Sequence, residues 1–258
     1  MDLSNSCVIH VKNGDIEYLQ FRRLLQYEDK ISHCFSLIGN SNNYQVNDGG
    51  NYPKLLECIN LDYKGLVSIK NQIHSDIVKK VDIQNENYIE IDGLVTNKRG
   101  ITIATREADC TPILLYDPVQ NVVGNIHSGW RGTTKKICQK AIKMMIEEYK
   151  CEATDIICLI GPCIGKCHFE VDEDVKEIFV NTFPNMKNCI EKTIIKEGKQ
   201  KYNIDTTKIN IELMKETGIK EENIENCNIC TVCNSKNIHS FRATKDNSGR
   251  NTAIIGLK

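Results

Sequence analysis

The 258 residues include 33 basic and 34 acidic side chains, well mixed, for a formal net charge of −1, and 40% of the chain is hydrophobic. That is enough apolar material for a sizeable core, but it leaves no electrostatic footprint for nucleic acid or an anionic membrane. No run approaches the roughly eighteen apolar residues of a membrane span, and Met1-Asp2-Leu3-Ser4-Asn5-Ser6 lacks the basic start and apolar stretch of a leader, so a cytoplasmic protein is expected. Thirteen cysteines, an odd number, argue for reduced thiols rather than a disulfide framework. Most of them, such as Cys138 and Cys158 within apolar runs, read as small core residues. No Gly/Ser/Pro-rich stretch divides the chain, and residues 1–258 read as a single domain.

In chain order, strand-like runs are Leu66–Ile69, Ile101–Ala104, Ile113–Tyr116, Val122–Ile126, Ile156–Ile160 and Ala253–Ile255. Asp117-Pro118 followed by Gln120-Asn121 is a turn, so the two strands around it form a hairpin. After Gly132, Thr133 or Thr134 can cap a helix in which Ile137, Ala141 and Met144 or Met145 keep helical spacing. Two more helices fit Asp172 to Asn181 and Thr206 to Thr217, and the charged, weakly periodic residues Lys187 to Lys201 read as a surface excursion. Hairpins and helices in no strict alternation predict an α+β fold, with mixed or antiparallel sheets packed together and helices flanking them.

Three residues at the ends of apolar runs stand out. His74, Cys110 and His127 provide two imidazoles and one thiolate, three ligands that leave the fourth position of a tetrahedral zinc ion open. The segment from Asn125 to Thr134 runs from a strand through Gly129-Trp130-Arg131-Gly132 into a helix. Backbone N–H groups and the Arg131 fork can converge there on an anion such as phosphate, or the glycines can simply permit a turn.

Only seven of the 33 basic residues are Arg, yet Arg131, Arg242 and Arg250 all fall in such segments, with Arg242 the strongest candidate to grip phosphate or carboxylate. Asp109 is the carboxylate nearest in sequence to a ligand, and it either enters the site or caps the turn before Pro112; Glu170 shares that ambiguity. Cys163, in Gly-Pro-Cys-Ile-Gly, either faces a pocket or packs beneath its turn. Cys163, Cys167 and His168 form an isolated group of donors. Cys227, Cys230 and Cys233 have ligand-like spacing but no fourth partner nearby in sequence, so they are expected to pack beside the C-terminal strand and to be dispensable for metal and catalysis.

With their neighbours these segments resemble the laccase-domain, or multicopper polyphenol oxidase, family, whose bacterial members are described as purine nucleoside phosphorylases. The resemblance rests on Asn71-Gln72-Ile73-His74-Ser75-Asp76, Asp92-Gly93-Leu94-Val95-Thr96, Ala108-Asp109-Cys110-Thr111-Pro112 and Asn125-Ile126-His127-Ser128-Gly129-Trp130-Arg131-Gly132-Thr133. It continues through Ile160-Gly161-Pro162-Cys163-Ile164-Gly165, Phe169-Glu170-Val171 and Ser240-Phe241-Arg242 to Gly249-Arg250. It runs from about His33 to the C-terminus. Family members usually carry an Arg and paired glycines after the His-x-Phe-Ser segment, whereas His33-Cys34-Phe35-Ser36 is followed here by Leu37-Ile38-Gly39-Asn40.

The resemblance implies metal ligands at His74, Cys110 and His127, with zinc or copper as the cofactor; beside it, the residues themselves nominate Asp109, Arg131, Arg242 and Cys163 for catalytic roles. It implies phosphorolysis of adenosine, inosine and methylthioadenosine to free base and pentose 1-phosphate, with adenosine deamination as a further activity; purine nucleosides and phosphate are then the partners. Copper oxidation of phenols is the alternative that the older family name carries, since His2Cys is also the equatorial set of a blue-copper site. Beyond the pair only His10, His33, His168 and His239 remain, too few and too scattered for a multi-imidazole copper cluster. A metal-free Cys–His hydrolase using Cys110 and His127 and a zinc-stabilised interaction domain are the other readings.

Overall fold

In the run Ile113-Leu114-Leu115-Tyr116, Ile113 and Leu115 enter one core, while Leu114 and Tyr116 enter another on the opposite face. Side chains alternate across a strand, so a strand covered on both faces must be apolar throughout. The neighbouring strand divides in the same way, Ile157 and Leu159 to one core and Cys158 and Ile160 to the other.

The computed structural model describes residues 1–45, 51–83 and 88–258. Two six-stranded sheets pack face to face. The first runs, in spatial order, Val8–Asn13, Ile16–Phe21, Ile31–Ser36, Asn251–Leu257, Thr102–Glu107 and Leu66–Ser68. The second runs Ile224–Asn226, Ile157–Ile160, Thr111–Asp117, Val122–Ser128, Gly93–Thr96 and Val78–Lys80. Pairing is antiparallel except where Leu66–Ser68, Ile224–Asn226 and Val78–Lys80 join parallel at sheet edges. Helix Tyr52–Cys58 covers the outer face of the first sheet, with Leu55 and Leu56 against Ala104 and Ile254. Helices Ile137–Tyr149, Glu173–Thr182 and Thr206–Lys215 cover the second, bringing Ala141, Phe179 and Leu213 onto Ile113 and Ile126. The α+β fold with packed mixed sheets and flanking helices is therefore as expected.

The turn between the central strands is closed by Asp117, whose Oδ1 accepts the N–H groups of Val119 and Gln120. Asp172 and Asp205 stand at the N-caps of their helices, and Asp205 accepts the Lys208 N–H at 2.9 Å.

One expectation needs correction. The long helix begins at Ile137, not at a Thr133 or Thr134 cap, because a separate single turn, Trp130–Thr134, comes first and Lys136 then takes a left-handed conformation with φ 61°. The Thr133 hydroxyl is committed elsewhere, to Ser128 Oγ and Asn210 Nδ2. Residues 187–201 are the surface excursion expected, and within it strands Ile190–Lys196 and Lys199–Ile204 form a hairpin that joins Glu170–Val171 in a third sheet. It stays solvent-exposed, with Ile194 and Ile195 uncovered, which is why its apolar pattern is weak. The strands before Ser36 also escaped sequence inspection, because His10, Lys12, Gln20 and His33 interrupt their apolar pattern.

One polar group spans the interface between the two sheets. Wholly buried Asn125, on the second sheet, donates to the carbonyls of Ile103 (3.1 Å) and Ala253 (2.7 Å) on the first and accepts the Thr105 hydroxyl at 2.7 Å. Asn125→Ala leaves these partners buried without it. We expect a loss of about 2–4 kcal/mol in denaturant unfolding, and a loss below about 0.5 kcal/mol would show that water replaces the amide.

Buried His33 accepts the Phe21 N–H at Nε2 (2.7 Å), and burial holds its pKa down to about 3. The unfolded chain protonates near 6.5 while the native state does not, so stability present above that pH is lost progressively as pH falls from 6.5 towards 3. His33→Gln keeps an acceptor and should flatten the stability–pH slope in that window; an unchanged slope places the acid sensitivity in another group.

Candidate active site

The hairpin register sets Pro112 opposite His127 and Thr111 opposite Ser128, so Cys110, one residue before its strand, lies beside the imidazole at the end of the next. His74 comes from the loop after Leu66–Ser68 and has a left-handed backbone with φ 58°. Asp92, just before strand Gly93–Thr96, fixes both histidines. Its Oδ1 lies 2.8 Å from His127 Nδ1 and accepts the His74 N–H at 3.1 Å, and its Oδ2 accepts both the N–H and the hydroxyl of Ser75 at 2.6 Å. The donor atoms of His74, Cys110 and His127 all lie within 4.8 Å of one another. Gly129 closes over them, and a Cβ there would stand 2.6 Å from His74 Cδ2 and 3.3 Å from Cys110 Sγ.

This set fits a metal ion. Asp92 engages Nδ1 of His127, leaving Nε2 for a cation, the carboxylate–histidine–metal pattern of protein metal sites. Burial alone would raise the Cys110 thiol, but the His127 and His74 imidazoles more than reverse this and bring it down to about 6. Burial likewise works against an imidazolium at His127, yet Cys110 and Asp92 raise it to about 10. A partly buried thiolate beside a proton-holding imidazole is a place where a cation can replace the proton. Behind them, burial pushes the carboxyl of Glu107 up to about 8 despite the opposing pull of His127, so it is mostly neutral at pH 7.

The three ligands line a cleft of about 690 Å³, within the ~300–1,000 Å³ of small-molecule sites. Its walls include the aromatic rings of Trp130, Phe169 and Phe241. Arg106, Arg242 and Arg250 also line it. Arg106 is the informative one. Its Nη2 donates to the Ile69 and Lys70 carbonyls, while its buried Nε has no hydrogen-bond partner among the described residues. Burial lowers its pKa, and nearby Arg250 adds like-charge repulsion.

Asp109 lines the cleft with φ 92°, a strained value for a residue other than glycine. Its Oδ1 accepts the Thr231 hydroxyl and its Oδ2 the Arg242 N–H, both at 2.6 Å. The Arg242 guanidinium donates to the carbonyls of His168 (2.7 Å) and Glu170 (3.2 Å). The structure thus brings Asp109 and Arg242 together at the cleft with the three ligands. Arg131 is exposed, its guanidinium 4.2 Å from the centre of the Trp130 ring, and the helix it begins has only one turn. Cys163 is buried, its Sγ 3.4 Å from the Thr207 hydroxyl and its thiol pushed up to about 11 by burial. Glu170 pairs with Lys196 at 2.7 Å.

The other imidazoles lie apart from this centre: His10 pairs with Glu17, His33 with the Phe21 N–H and His239 with the Asn42 carbonyl, and His168 sits among thiols. Sequence inspection gave no role to Asp92, Arg106 or Glu107. Asp92-Gly93 was visible only as a motif, and Arg106 and Glu107 precede the Ala-Asp-Cys segment with nothing in their spacing to mark them.

Residues 39–258 match the family described as multi-copper polyphenol oxidoreductase laccase, and the chain belongs to it. A purine nucleoside phosphorylase of Clostridium acetobutylicum is 32% identical over 252 residues, covering 96% of this chain and 99% of its own length. The human purine nucleoside phosphorylase LACC1 is 30% identical over 212 residues, 81% of this chain but 47% of its own length, so this chain spans about half of it. Among solved structures, the hypothetical protein YfiH of Bacillus licheniformis superposes with a TM-score of 0.82 at 25% identity, covering 96% of this chain and 99% of that one. YlmD of Geobacillus stearothermophilus shares the fold, with a TM-score of 0.82 at 22% identity and 97% and 99% of the two chains covered.

Asp92→Asn keeps the size of the side chain but weakens its grip on the His127 ring and on Ser75. Metal affinity measured by chelator competition should fall about 10–100-fold. Undiminished affinity would make Asp92 a purely structural residue.

Proposed function

We propose that this chain is a metal-dependent purine nucleoside phosphorylase, cleaving adenosine, inosine and methylthioadenosine with phosphate and also deaminating adenosine. The observation that carries the phosphate half is the pairing of Arg106 with Arg250 in the cleft, two like charges with one buried N–H lacking a partner. An anion between them offsets their repulsion. The relatives named purine nucleoside phosphorylase support the same substrate class.

In this reading Arg106, Arg250 and Arg242 hold phosphate, and Trp130, Phe169 and Phe241 stack on the purine. A phosphate oxygen attacks C1′ of the pentose as the bond from C1′ to the base nitrogen breaks, and the base leaves carrying a proton. Holding both reactants in one water-poor cleft supplies much of the rate. Asp109 is the acid–base group: each carboxylate oxygen already accepts one hydrogen bond and keeps a second lone pair for the substrate. His74, Cys110 and His127 would hold a zinc ion, which would supply Lewis acidity. Zinc is the metal we assign, with copper as the alternative that the family description supports.

The test incubates metal-quantified protein with adenosine, with and without phosphate. Adenine formed only with phosphate is the expected phosphorolysis, and inosine formed without phosphate is deamination. Oxidation of phenols by the copper-loaded protein, with no product from adenosine, would overturn the reading. Arg106→Ala should raise the phosphate KM about ten- to a hundredfold, the worth of a hydrogen bond to a charged group. Arg131→Lys should change it little, and the reverse order would move phosphate to the Trp130 side.

A further inference from the structure

Cys227, Cys230 and Cys233 do not act together. Cys227 is buried in the core between the sheets, whereas Cys230 and Cys233 turn to the opposite side, where Cys167 and His168 meet them. The fourth partner missing from the neighbouring sequence is supplied by a loop some sixty residues earlier in the chain. We propose that Cys167, His168, Cys230 and Cys233 form a second, closed metal site of the Cys3His type, suited to zinc, which pins the loop at 161–169 to the loop at 227–234.

The geometry is that of a coordination sphere. Tetrahedral zinc, with bonds of about 2.3 Å to sulfur and 2.0–2.1 Å to nitrogen, sets sulfurs ~3.8 Å apart and sulfur ~3.5 Å from nitrogen. Here Cys167 Sγ and Cys233 Sγ are 3.8 Å apart, and His168 Nδ1 lies 3.1, 3.5 and 3.7 Å from the sulfurs of Cys167, Cys233 and Cys230. All four donor atoms fall within 4.8 Å of one another. The Gly165 N–H donates to Cys230 Sγ at 3.3 Å, the kind of contact that supports a ligating thiolate. A Cβ at Gly165 would lie 3.2 Å from Cys167 Sγ and 3.3 Å from Cys230 Cβ, so that loop passes tightly against the cluster.

Four protein ligands leave no open position, so this site differs in kind from the three-ligand centre in the cleft. Its role is positional. Thr231, between two of the ligands, donates to Asp109, and the carbonyl of His168 accepts from Arg242. A metal here locks the two loops that hold Asp109 and Arg242 in register, whatever reaction the cleft performs.

The test measures zinc per chain in protein purified under reducing conditions, with cobalt(II) uptake by the chelator-stripped chain as a second readout. The expected result is two equivalents of zinc in the unmodified chain and one in the C167S/C233S variant, both of whose altered residues are exposed. His74→Ala combined with Cys110→Ala should likewise retain one equivalent. Cobalt in the unmodified chain should give the intense sulfur-to-metal absorption of four thiolates, three here and Cys110 in the cleft, and C167S/C233S should lose most of it. If that variant fails to fold, the cobalt spectrum of the unmodified chain decides. A single equivalent of zinc with a one-thiolate spectrum overturns the proposal, as does a disulfide between Cys167 and Cys233 in the metal-replete protein.

Discussion

The central hairpin, Thr111–Asp117 with Val122–Ser128, is buried on both faces, and its register is the constraint from which the site follows. A slip of one residue would exchange Ile113 and Leu115 with Leu114 and Tyr116 between two differently shaped cores. The same slip would carry His127 away from Cys110. Packing energy spent on fold therefore also secures the ligand geometry, and Asp92 adds only the final orientation of the two histidines.

The hairpin and the long helices were legible in the sequence because their signals are local: an Asp117-Pro118 turn, apolar runs and helical spacing. The ligands His74, Cys110 and His127 were legible as residue types at the ends of such runs, and the structure brings them together. Interactions between segments far apart in sequence were not legible. Arg106 and Arg250 approach each other only because strand Asn251–Leu257 pairs with Thr102–Glu107. Cys167 and His168 reach Cys230 and Cys233 only through the backbone bonds of Cys163 to Ile229 and Thr231. Spacing alone joined Cys227 to that group, although the bridge between residues 163 and 230 puts them on opposite sides.

The family's description speaks of copper and phenols, whereas the names of its relatives speak of phosphorolysis. A shared fold cannot decide between them, since chemistry resides in the site. Here the walls of the cleft are more informative than the metal ligands. A His2Cys set accepts zinc or copper, whereas the arginines and aromatic rings that line the cleft are what support the phosphate and purine of the proposed reaction.

Strand Asn251–Leu257 lies between Ile31–Ser36 and Thr102–Glu107, in the middle of the first sheet. It comes after everything it joins. During synthesis its two neighbours must wait, unpaired on their facing edges, until residue 251 and beyond have left the ribosome. Non-local closure of this kind slows folding and exposes strand edges to other chains. Arg250 adjoins this strand, and the Asn251 amide ties the Glu107 carbonyl to that of His239, so the cleft is completed in the same late step. Sheet and cleft therefore close together, and chaperone dependence should track the time spent with that slot empty.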